Sequence, residues 1–128
     1  MILKIVFLIL NIYPSPTCDQ AKDYTFIFEK VDNRVEILVN DSIIYDSGTI
    51  NDPHSFSGKK ISIGPYLKHA NNKVVVRLYN GYEPYENQID RSWQIKYALM
   101  EGTDEYENYW EKGRDYRVGL VLEEAYYL

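Results

Sequence analysis

The sequence predicts an all-β protein, an antiparallel β-sandwich of the two-sheet or jelly-roll kind with one short helix. The first observation behind this is residues 33–46, NRVEILVNDSIIYD, where Val35, Ile37 and Val39 alternate with Glu36, Leu38 and Asn40. A period of two in β-branched residues suits a pleated, half-buried surface. Asn40-Asp41-Ser42 then supplies turn residues, and Ile43, Ile44 and Tyr45 resume an apolar run that returns antiparallel, making a hairpin. The second observation is the number of such segments, about seven or eight strands separated by breakers, the count of a sandwich or jelly roll. The third is the absence of repeats at any fixed period and of low-complexity tracts.

Taken in order, residues 24–31 (YTFIFEKV) are aromatic and β-branched, end at Asp32-Asn33, and are expected to pair with the hairpin across a two-residue turn. Residues 47–60 hold Gly48, Asp52-Pro53 and Ser57-Gly58 and read as a long loop or weakly paired edge. Residues 60–64 (KISIG) resume strand character before a turn at Pro65-Tyr66-Leu67. Residues 72–80 (NKVVVRLYN) carry so many apolar side chains that an interior strand is expected. Residues 82–91 lack a period and read as a loop, whereas residues 92–100 alternate Trp93, Ile95, Tyr97 and Leu99 with Gln94 and Lys96, a strand with one buried face.

The short helix is expected within residues 101–114. Thr103 can cap it, Asp104 and Glu105 suit its positive end, Lys112 its negative end, and Gly113 can terminate it. On such a helix Tyr106, Tyr109 and Trp110 share a face. The last strand is expected over residues 115–123, with Tyr116, Val118, Leu120 and Leu122 on one side. The expected core is Ile37, Val39, Val74, Val76, Leu78, Trp93, Ile95, Val118 and Leu120.

The beginning of the chain reads differently. Lys4, the apolar run of residues 5–12 and then Pro14, Ser15, Pro16 and Thr17 have the order of an export signal, and the run is too short to span a bilayer as a helix. Residues 1–18 are therefore expected to be the signal and residues 19–128 a single β-sandwich domain, exported and either secreted or envelope-anchored. Cys18 is the only cysteine, so no intrachain disulfide can form. Its position resembles that of the lipidated cysteine of bacterial lipoproteins, which implies a lipid on Cys18. Ser15, Pro16 and Thr17 depart from the usual lipobox, and an ordinary cleaved signal with an incidental thiol is the alternative.

The net charge of −5 disfavours a nucleic-acid partner, because an acidic surface repels a phosphate backbone. No basic amphipathic helix suggests a membrane surface, so membrane attachment would come only through a lipid on Cys18. His54 and His69 lack zinc-ligand spacing, and no cofactor is expected. The acidic loops leave structural calcium open, although no calcium-loop motif indicates it. Asn40-Asp41-Ser42 is also a glycosylation sequon, which a turn asparagine explains equally well.

Residues 32–41, then Ile61-Ser62-Ile63-Gly64-Pro65-Tyr66-Leu67-Lys68, then residues 72–80 together resemble the galactose-binding-domain-like jelly roll, found as accessory modules beside glycoside hydrolase catalytic domains. Asp41 stands where that pattern usually has glycine. The resemblance implies a fold and a carbohydrate-binding-like role. It transfers no site residue, because the matching positions build strands and turns whereas ligand contacts come from variable loops.

The candidate site is instead read from aromatic content, 15% of the chain with 13 Tyr. Tyr82, Tyr85, Tyr109 and Trp110 offer flat apolar faces to a sugar or a partner, and Glu83 and Glu86 can accept hydrogen bonds from hydroxyls. Aromatic residues closing the ends of a sandwich give the same pattern. No nucleophile, base and oxyanion arrangement can be named, so the chain is not read as an enzyme. The expected function is a non-catalytic exported binding module for a glycan or cell-surface polymer. The alternative is a small exported interaction protein, of inhibitor or immunity type, with an envelope protein as partner.

Overall fold

The computed structural model describes residues 23–50, 52–81, 92–114 and 118–128. They form eight strands, β1 (Tyr24–Asp32), β2 (Arg34–Val39), β3 (Ser42–Asp46), β4 (Lys59–Ser62), β5 (Lys73–Asn80), β6 (Ser92–Glu101), β7 (Asp104–Arg114) and β8 (Gly119–Tyr127). These lie in two antiparallel four-stranded sheets packed as a sandwich, with orders β4-β1-β6-β7 and β3-β2-β5-β8. The expected hairpin is there: β2 (Arg34–Val39) pairs with β3 (Ser42–Asp46) across Asn40 and Asp41, whose φ values are 49° and 70°. Asn and Asp tolerate this left-handed pair, which matches the twist of the strands it joins.

β1 (Tyr24–Asp32) was expected beside that hairpin and lies in the other sheet, between β4 (Lys59–Ser62) and β6 (Ser92–Glu101). Crossing between sheets at Asn33 lets two apolar strand faces bury each other, β1 presenting Phe26, Phe28 and Val31 and β2 presenting Val35, Ile37 and Val39. The buried Asn33 holds this crossing through three hydrogen bonds. Its N–H donates to Tyr79 O (3.1 Å), its carbonyl accepts from Ile50 N (2.7 Å) and its Oδ1 accepts from Gly81 N (2.8 Å).

The long connection after β3 contributes Ile50 and Phe56 to the core, Phe56 from a 3-10 turn at Pro53–Phe56 in which Asp52 Oδ1 accepts from His54 N. After β4, a second 3-10 turn spans Gly64–Tyr66. β5 (Lys73–Asn80) is interior, as expected, flanked by β2 and β8 (Gly119–Tyr127). Its entrance is fixed by the buried Asn72. The Oδ1 of Asn72 accepts from Lys68 N (2.8 Å) and from Asn40 Nδ2 (3.0 Å), and its Nδ2 donates to Lys68 O (2.9 Å). Asn40 Oδ1 in turn accepts from Lys73 N (2.9 Å), so the sequon asparagine has both side-chain heteroatoms engaged in tying the hairpin turn to β5.

Two local expectations are corrected. Residues 104–114 are not helical: β7 (Asp104–Arg114) pairs along its whole length with β6. Gly102, at φ 60°, and Thr103 make the tight reversal instead of a helix start, and Gly102 N donates to Asp23 O (2.7 Å). As an edge strand, β7 exchanges main-chain hydrogen bonds with β6 along its length, a longer run of pairing than a marginal helix of about three turns holds on its own. The second correction concerns β8. The register shifts between Leu78 and Tyr79, so Leu122 opposes the inward Leu78 whereas Leu120, two residues earlier, opposes the next residue, Tyr79. One extra residue in the strand reverses the alternation. Leu120 and Val118 are thus 46% and 43% exposed, while the other seven expected core residues are buried.

Candidate ligand-binding surface

The hairpin β6–β7 builds the surface. Gln94 and Lys96 of β6 point outward because Trp93, Ile95 and Tyr97 point into the core. The register then aligns Trp110 with Lys96 and Lys112 with Gln94. On the other side of β6, Lys30 of β1 aligns with Lys96 and Asp32 with Gln94. The outer face of this sheet therefore carries a row Lys30, Lys96, Trp110, with a second row Asp32, Gln94, Lys112 beside it.

Trp110 is 57% exposed on a paired strand. The ammonium groups of Lys96 and Lys112 each lie 5.6 Å from its ring centroid. Such contacts are worth about 0.5–1 kcal/mol at exposed sites, enough to hold the ring's orientation but not to cover it. Lys96 Nζ also pairs with Glu29 at 3.1 Å. Among the described residues Lys30, Lys112 and Arg114 have no carboxylate partner within ion-pair distance. Lys112 and Arg114, with Trp93 and Gly113, line one side of an open hollow of about 440 Å³ completed by Asp32, Ser92 and Gln94. Asp32 and Ser92 are already engaged in other interactions. The Nε1 of Trp93, a buried donor in the wall of this hollow, has no acceptor among the described residues.

Tyr109 and Trp110 do not share a face. Successive strand residues point to opposite sides, and Tyr109 turns inward, half-buried, its ring stacked on Tyr97 with centroids 5.4 Å apart. Its hydroxyl donates to Glu111. Burial first, and that hydrogen bond second, push the Tyr109 phenol well above the ordinary tyrosine range. Tyr106 goes to yet another place, edge-on to Tyr24 with centroids 5.9 Å apart. Of the expected site residues, then, Trp110 is on the open face and Tyr109 under the sheet. Tyr82, Glu83, Tyr85 and Glu86 lie outside the described residues, as does Cys18.

Sequence reasoning missed Lys112, Arg114 and the Trp93–Gly113 floor. The signal was present in residues 107–112, where Glu107, Tyr109 and Glu111 alternate with Asn108, Trp110 and Lys112. Reading Lys112 as a helix-end cation concealed it. His54 and His69 are both exposed, and among the described residues no three His, Cys, Asp or Glu side chains are placed to share a metal ion.

Compared with family models, curated proteins and solved structures, the chain matches none.

Proposed function

We propose that this protein is a non-catalytic, exported binding module that holds a glycan on the outer face of the β4-β1-β6-β7 sheet. The observation that carries the reading is the open indole of Trp110, fixed on a paired strand and steadied by two lysines. A rigid exposed indole offers the apolar side of a sugar ring a stacking face and loses little conformational freedom when it is covered. Side chains around it supply hydroxyl-binding groups, Gln94 and Asn108 among them, on neighbouring outward positions. The likeness of residues 32–80 to galactose-binding-like modules points the same way, and the signal-like residues 1–18 support export.

A second reading, an exported protein-interaction partner, is favoured by Leu120 and by Tyr127, 72% exposed, both on β8 at the end of the other sheet. A glycan array probed with the wild-type protein and with Trp110→Ala separates the two. The glycan module predicts saturable sugar binding that falls tenfold or more in the variant, with an unchanged Tm because the ring is largely exposed. Capture of an envelope protein with no sugar signal, insensitive to Trp110→Ala, would favour the second reading.

A further inference from the structure

The geometry points to an acidic glycan, a polymer bearing uronate carboxylates, as the ligand of this face; this rests on the glycan reading above. Trp110, Lys112 and Arg114 occupy successive outward positions of β7, about 7 Å apart by strand geometry. The indole comes first, and two cations without carboxylate partners among the described residues continue the line along the hollow. Lys30 and Lys96 flank the indole on the other side. A neutral sugar needs none of these charges. In a chain of net charge −5, Lys30, Lys112 and Arg114, unpaired among the described residues, sit beside an open aromatic face. The hollow there also holds Asp32, and Lys96 is paired with Glu29; the cations in excess favour an anionic group.

The same net charge argues for a glycan over a polyphosphate. Double-stranded DNA carries a charge about every 1.7 Å, and its long-range repulsion from an acidic protein is correspondingly large. A uronate chain carries at most one carboxylate per sugar and presents an uncharged ring face between charges. A pyranose can thus lie on Trp110 while the carboxylate of a neighbouring sugar reaches Lys112 or Arg114. The guanidinium of Arg114 can take both carboxylate oxygens at once.

The test measures binding to polygalacturonate, alginate and hyaluronate, to the methyl ester of polygalacturonate, and to polyglutamate. It uses the wild-type protein, Trp110→Ala, and the double variant Lys112→Gln with Arg114→Gln. Both substituted positions are exposed, and Tm confirms that the fold is kept. The inference expects at least one uronate polymer to bind tenfold or more tighter than the ester, with an affinity that falls as salt rises. The double variant should reduce the uronate affinity to about the level at which the wild-type protein binds the ester. Equal binding of acid and ester, abolished by Trp110→Ala, overturns the acidic ligand and leaves the glycan reading standing. Polyglutamate bound as tightly as the uronates overturns it in favour of an acidic protein partner. No binding to any glycan, here and on the array, overturns both.

Discussion

The indole of Trp93 lies over the backbone of Gly113, its cross-strand partner. A Cβ added to Gly113 would sit 2.2 Å from Cζ2 and 2.4 Å from Cε2 of that ring. Glycine is there because the buried tryptophan needs the space. Gly113→Ala should force the ring out of place and destabilise the protein by about 1–3 kcal/mol, the range of overpacked cores. Denaturant unfolding measures this, and tryptophan fluorescence should shift with it. An unchanged midpoint would mean that the ring does not occupy the space over Gly113.

Val76 and Leu120 separate the inner and outer faces of the β5–β8 pair. Val76 is fully buried and Leu120 half exposed. Val76→Ala should cost about 2 kcal/mol or more through lost transfer energy and the cavity left behind. Leu120→Ala should stay within about 0.5 kcal/mol, as surface substitutions do. Comparable losses for the two in denaturant unfolding would place Leu120 in the core and refute the register shift in β8.

Tyr97 and Tyr126 join the two sheets through a shared hydroxyl hydrogen bond inside the core. Burial raises both phenols, Tyr126 up to about 12 and Tyr97 further. A folded value above the unfolded one near 10 means that the stability from these neutral phenols is complete below pH 10. It is lost as pH rises from there through about 12. Tyrosinate absorbance from this pair should therefore appear only at strongly alkaline pH, together with unfolding. Tyr126→Phe should cost about 1 kcal/mol at neutral pH and lessen the alkaline loss. Titration of the pair near pH 10 with the fold intact would show that it is not buried.

By itself the sequence determined the strands and most of their facing. Alternation in residues 33–39, 72–80 and 92–100 assigned Ile37, Val76 and Ile95 to the inner side, because burying one face of a pleated strand requires a period of two. The turn at Asn40-Asp41 was equally legible, since few residues accept a positive φ in succession. Only the tertiary structure decided which strands pair. β1 crosses to the opposite sheet because its aromatic face needs the face of β2 as cover, a relation between distant surfaces that no local window contains. Residues 104–114 hold helix-compatible end signals, and the open edge of β6 outweighs them. That pairing also sets the site, since a helix would have joined Tyr109 to Trp110, whereas a strand buries the first against Tyr97 and leaves the second outside between Lys96 and Lys112.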